Sequence, residues 1–175
     1  SSLELNETWS GPAQSIAAGK SITRTVKLSA LGLLGSALPL CTTTESQAEA
    51  TYWLARTYAL ENDFEKAFQL FKSVSEYGVN EQLASAILYD GAVAASRIDR
   101  VEQAGEWLKE LHQKFPTNEL SDDALYLQID LSQKADSPSV TESLVRQFLA
   151  RYDSSPLKPG VLELSGRVEY AKQNY

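Results

Sequence analysis

Three alanines set the frame for this chain. Ala50, Ala86 and Ala124 each head a stretch of helical period, and they lie 36 and 38 residues apart. Within each following stretch come Ala67, Ala104 and Leu144, with Phe71, Leu108 and Phe148 four positions further on. Twelve residues after Ala104 stands Pro116, and twelve after Leu144 stands Pro156. Small residues let two helices approach closely, large ones fill the space beside them, and proline ends the second helix so that the chain can turn. One such hairpin cannot bury its own apolar stripe, so equivalent hairpins must stack. The chain is therefore expected to be mainly α, a solenoid of about three helical hairpins plus a C-terminal helix.

The helical texture has a clear beginning. After Glu45 the apolar period is helical, with breaks at Glu61-Asn62-Asp63, Tyr77 to Asn80, Arg97 to Arg100, Pro116 to Asn118, Ala135 to Pro138 and Ser154 to Gly160. Asp63, Asn80 and Ser137 sit where N-caps belong, and Pro138 falls at a first helical position. Before Cys41 to Gln47 the chain alternates with period two, in Leu3-Glu4-Leu5-Asn6 and in Ser21 to Leu28, with Ile22, Val26 and Leu28 on one face. Residues 1–45 are thus expected to be a short β-like N-terminal extension, and residues 46–175 the repeat domain. Two or three strands make no independent fold, so the extension would lean on the helices or belong to a larger β-domain.

Charge narrows the partners. The net charge is −7, and the bases and acids of residues 1–45 cancel, so the helical part carries all of it. That excess argues against nucleic acid, whose phosphates need Lys and Arg clusters, and against docking on anionic lipid. Cys41 is the single cysteine, so no internal disulfide can form. The chain begins at Ser1 and contains no methionine, so a processed or trimmed product is expected, with any original targeting segment missing from it. The apolar run Leu28 to Leu40, ending at Cys41, looks like a lipoprotein signal only loosely. It is too short to span a bilayer, and Pro39-Leu40 stands where a small residue belongs, so it is expected to be a strand and loop.

The repeat resembles the tetratricopeptide family. Leu54, Ala55, Tyr58, Ala67 and Phe71 occupy that family's positions in the first unit, and Asp63-Phe64-Glu65-Lys66-Ala67 resembles its inter-helix turn. The second unit keeps Gly91, Ala104, Leu108 and Pro116 but has Asp90 where Leu is usual. The third departs furthest, with Ile129 at the small position and Leu144 for Ala. Phe115-Pro116-Thr117-Asn118 followed by Asp123-Ala124 is similar to the junction in bacterial envelope proteins of the BamD and YbgF type. The N-terminal segment has its own likeness. Trp9, Gly19 to Val26, Gly32-Leu33 and Leu38-Pro39 resemble a stretch of the BatD oxygen-tolerance family, where it belongs to an immunoglobulin-like domain beside a membrane anchor. These resemblances imply a bacterial periplasmic or cell-envelope setting, with any membrane tether outside this chain.

Residues that mimic chemistry mostly have plainer readings. Ala18-Gly19-Lys20-Ser21 ends like a phosphate-binding loop, but Gln14 stands where the first glycine belongs and a period-two stretch follows instead of a helix. His112, the lone histidine, is expected on a solvated helix face beside Glu110 and Lys114. A zinc set or a nucleophilic triad would need partners that the chain does not offer in sequence. Asp122-Asp123 is expected to support a helix start through its dipole. Asn6-Glu7-Thr8 matches a glycosylation sequon, a pattern frequent by chance. No catalytic residue, metal or cofactor is therefore expected.

The positive signal is a concave surface, which in tetratricopeptide arrays is lined by the first helix of each pair. By register Tyr52, Arg56 and Leu60 would face it from the first unit, Leu88, Tyr89 and Ala92 would lie near it in the second, and Tyr126, Asp130 and Gln133 would come from the third. Tyrosine suits such a surface because it buries much area with few rotors and keeps a polar tip. The Lys/Asn clamp with which some members hold a C-terminal carboxylate has no counterpart here. The expected function is a non-catalytic scaffold that binds a protein or peptide. The alternatives are a structural module that self-associates into a homo-oligomer and, from the resemblance to BamD, a component like an outer-membrane assembly lipoprotein.

Overall fold

The computed structural model of the chain describes residues 31–36 and 38–173. The period-two runs at Leu3 to Asn6 and Ser21 to Leu28, Trp9, the phosphate-loop mimic and the sequon lie outside those residues. Where the apolar run Leu28 to Leu40 is described, it is helical rather than strand and loop. Residues 31–36 are α-helical, and Leu38–Leu40 form a 3-10 turn. Leucine is a good helix former, and a run of about ten apolar residues fits either state by pattern alone.

Seven longer helices follow: α1 (Thr44–Leu60), α2 (Phe64–Val74), α3 (Glu81–Arg97), α4 (Val101–Lys114), α5 (Ser121–Lys134), α6 (Pro138–Arg151) and α7 (Lys158–Gln173). Each packs on the next, and α1 also touches α3 while α5 touches α7. The result is three stacked hairpins, α1/α2, α3/α4 and α5/α6, closed by α7. Local chemistry sets the boundaries. Thr43 opens α1 with a capping box: its hydroxyl accepts from the Ser46 amide at 3.1 Å, and the Ser46 hydroxyl accepts from the Thr43 amide at 3.3 Å. Asp63 and Asn80 cap α2 and α3 by accepting from the amides of Lys66 and Leu83. Ser137 occupies the N-cap place of α6, but its hydroxyl turns back to the Ala135 carbonyl instead of capping.

The turns reveal the true period. Asn62, Asp99 and Asp136 have φ of 62°, 57° and 48°, one in each hairpin turn, at a constant spacing of 37 residues. Asn and Asp tolerate this left-handed conformation better than other side chains. The same spacing relates Ala55, Ala92 and Ile129, and then Ala67, Ala104 and Thr141, all fully buried. The spacings of 36 and 38 are thus corrected, and so is the third unit. Its small position is held by Thr141, not Leu144, and Val145 stands where Phe71 and Leu108 do. Residues three or four apart share a helix face, so an apolar stripe alone leaves the register open by one turn.

Packing explains the small residues. A Cβ on Gly91 would lie 2.4 Å from the Trp107 ring and 3.2 Å from the Phe71 Cβ. The α3 backbone therefore passes directly between side chains of α2 and α4. Phe68 and Phe71 are fully buried in the cluster that fills the first two units, each contributing about 1.5–3 kcal/mol relative to exposure. A second cluster of Leu125, Ile129, Val145, Phe148, Val161 and Leu164 joins the third unit to α7. In the third unit the Thr141 and Ser132 hydroxyls lie 2.8 Å apart, and each also reaches a backbone carbonyl, so the buried polar groups are satisfied.

Candidate functional site

The first helices of units one and two face each other across a cleft of about 520 Å³. Along α1, Glu45, Glu49, Tyr52, Trp53 and Arg56 fall on one face by their spacing of three and four. From α3 come Leu83, Ala86, Tyr89 and Asp90, and the entry to α5 adds Glu119 and Leu120. A volume of this size is in the range of ordinary ligand-binding clefts.

A polar network crosses the floor. The Tyr52 hydroxyl donates to Asp90 Oδ2 at 2.9 Å, and Arg56 Nε lies 3.4 Å from the same oxygen. The Arg56 guanidinium also sits over the Tyr52 and Trp53 rings, 5.7 and 5.2 Å from their centroids. Burial pushes the Asp90 carboxyl above its ordinary range, against the pull of Tyr52 and Arg56. The Tyr52 phenol is pushed up to about 12, first by burial and then by Asp90. The Tyr89 phenol is also pushed up to about 12, by burial and then by the charges of Asp123, Asp90 and Asp122. At neutral pH both tyrosines are therefore neutral hydrogen-bonding groups.

The residues expected on the concave surface divide. Tyr52, Arg56 and Tyr89 line the cleft. Leu60 is 63% exposed at the end of α1 and lies outside it. Leu88 is 3% exposed and Ala92 is fully buried, so both belong to the core; for Leu88 the correction follows from the roughly 100° turn separating it from Tyr89. Tyr126, Asp130 and Gln133 do not reach the cleft. Tyr126 packs against Gly160, and Gln133 donates to the Leu164 carbonyl at 2.7 Å, so α7 covers this part of α5. Asp130 pairs with Lys134 at 2.7 Å. Sequence reasoning missed Trp53, Glu49, Asp90 and Glu119. The signal for Trp53 was present in its place beside Tyr52 and three residues before Arg56.

Other singled-out residues have structural roles. His112 is half-buried rather than on a solvated face; its Nδ1 lies 3.2 Å from the Leu108 carbonyl, and Nε2 is buried without a partner. Burial pushes its pKa down, and Arg151 adds to the effect. Asp122 lies in the first turn of α5, where it accepts from the Ser155 hydroxyl at 2.7 Å and so pins the loop before α7. Cys41 is half-exposed, and its carbonyl accepts from the Gln47 side chain. Among the described residues, no group of three or more His, Cys, Asp or Glu is placed to hold a metal ion, and no helix is long and apolar enough to cross a membrane.

Fold and cleft define a stack of helical hairpins whose first helices carry a groove. No protein-family model and no curated protein matches the chain. Among solved structures the fold is similar to that of BtubC (BKLC) from P. vanneervenii, with a TM-score of 0.62 at 17% identity. The match covers 83% of this chain and 65% of that one, so the chain spans less than two thirds of that protein's length. At this identity the likeness is one of fold.

Proposed function

We propose that this chain is a non-catalytic interaction scaffold that holds a polypeptide partner in the cleft between α1 and α3. The observation that carries the reading is the cleft itself. It joins an exposed indole, two neutral phenols, a guanidinium and several carboxylates on two adjacent first helices, a surface rich in contact-making side chains. Trp53 is 46% exposed although it is among the most costly side chains to leave in water. The tetratricopeptide resemblance of the repeat supports the same role, with the groove in the place where that family binds partners. The resemblances to BamD/YbgF-type and BatD proteins support a place in a multiprotein complex of the bacterial cell envelope, in the periplasm. Affinity capture from a bacterial envelope extract tests the reading. A partner held by the wild type and lost with Trp53→Ala/Arg56→Ala, yet retained with Lys109→Ala in α4, places binding in the cleft. Equal capture by all three defeats it.

One observation favours self-association as a second reading. Leu88 and Leu125 are 3% and 1% exposed, but Leu162, 37 positions beyond Leu125 on α7, is 50% exposed. Sedimentation over a wide concentration range decides. A mass that rises with concentration in the wild type and not with Leu162→Lys supports it, and a monomer throughout removes it.

A further inference from the structure

The cleft lining is unbalanced in charge. Among the described residues, Glu45, Glu49, Asp90 and Glu119 face a single cation, Arg56. Arg56 already pairs with Asp90, so those two charges cancel. Glu45 accepts a hydrogen bond from the neutral Asn80 amide, and Glu49 and Glu119 form no ion pair among the described residues. Among the described residues, three carboxylates are therefore uncompensated around an opening that also holds the exposed Trp53 ring. The chain itself shows how such a place holds a cation. Its own Arg56 guanidinium rests on two aromatic rings against one carboxylate. Between the acids the lining is apolar, with Leu83, Ala86 and Leu120.

Resting on the reading of the cleft as a polypeptide groove, we infer that its occupant is a basic segment, with Lys or Arg side chains set among apolar ones. A basic side chain seats beside the Trp53 indole and the Glu49 and Glu119 carboxylates, where ring face and charge act together. Apolar side chains of the same segment cover Leu83, Ala86 and Leu120, which a free polyamine would leave in water. The Tyr89 phenol, raised first by burial, is raised further by the carboxylates of Asp123, Asp90 and Asp122, which agrees with this polarity. The charge excess of the whole chain, −7, draws basic partners from a distance.

The test uses three synthetic decapeptides of one pattern, in which lysine, glutamine or glutamate alternates with alanine and leucine. Affinity is measured by anisotropy, and the Trp53 indole N–H resonance, assigned with Trp53→Phe, locates binding. The lysine peptide should shift that resonance and bind at least about tenfold more tightly than the glutamine peptide, with the glutamate peptide weakest. Glu49→Gln/Glu119→Gln should weaken the lysine peptide about tenfold. Glu76→Gln/Glu102→Gln, which makes the same change in net charge away from the cleft, should alter it less than about twofold. If the glutamine peptide binds the cleft as tightly as the lysine peptide, or the two double variants behave alike, the basic-segment assignment is overturned and the groove reading stands. If no peptide moves the Trp53 resonance, both fall. If spermine displaces the lysine peptide and binds as tightly, the occupant is a small polycation and the polypeptide assignment is overturned.

Discussion

The Tyr52 hydroxyl and the Asp90 carboxylate, joined at 2.9 Å, tie the first helix of one repeat to the first helix of the next. Replacing Tyr52 by Phe leaves Asp90 with Arg56 alone, in a place where burial already disfavours its charge. Because Asp90 keeps one partner and some solvent, the expected loss is about 1 kcal/mol, at the low end for an orphaned polar group. Urea denaturation should show a lower midpoint with an unchanged slope. An unchanged midpoint would mean that water replaces the phenol at no cost.

Gly91 is required by packing rather than by a turn. In Gly91→Ala the new methyl would overlap the Trp107 ring, and the Phe71 Cβ leaves no retreat on the other side. Overpacking costs about 1–3 kcal/mol, against which the better helix propensity of alanine returns about 1 kcal/mol. A net destabilisation is expected by thermal or urea unfolding. In a double-mutant cycle with Trp107→Leu the penalty should shrink, because the smaller side chain vacates the contested space.

The third repeat makes a sharp distinction between two neighbouring positions. Thr141→Ala places in unit three the residue that units one and two already have, and Ser132 keeps its bond to the Ile129 carbonyl. A change within about 1 kcal/mol is expected. Thr141→Leu should cost about 1–3 kcal/mol or more, because a larger side chain must enter a fully buried site and the hydroxyl bonded to Ser132 and Ser137 is lost. Calorimetric melting of both variants checks the register. Comparable stability of Thr141→Leu and wild type would restore Leu144 as the small position.

His112 gives the fold a pH dependence of definite sign. Burial holds its folded-state pKa below the ordinary 6.5, so the unfolded chain binds the proton more readily. The contribution is fully present above about pH 6.5 and is lost as pH falls through the lower folded value. His112→Gln should therefore narrow the difference in melting temperature between pH 7.5 and pH 5 (about those values bracket the window). An equal difference in wild type and variant would show that the ring is solvated in the folded protein.

How much of this was legible in the sequence depends on the unit. Ala55, Ala67 and Phe71 announced the first hairpin because small and large residues alternate there as the packing requires. The turns at Asn62, Asp99 and Asp136 were all found as breaks, but their equal spacing went unused, and it alone fixes the register. Thr141 was missed because a polar residue at a small buried position is legible only once its hydroxyl partner, Ser132, is seen across the hairpin. Of the residues expected on the concave surface, Tyr52, Arg56 and Tyr89 line the cleft. Its extent was misjudged because nothing local reveals that α7 lies over Tyr126 and Gln133. The acids escaped notice for the opposite reason: a solvated carboxylate on a helix looks the same whether it faces a groove or open water.

The division of the core into two apolar clusters separates the backing of the cleft from the end of the stack. Every cleft residue on α1 and α3 is backed by the cluster of the first two units, whereas α6 and α7 rest on the other, and α5 contributes to both. Wear therefore falls unevenly along the molecule. Fraying or nicking that begins in the last two helices spends itself before it reaches the cleft, much as the outer end of a rope can unravel while the knot still holds.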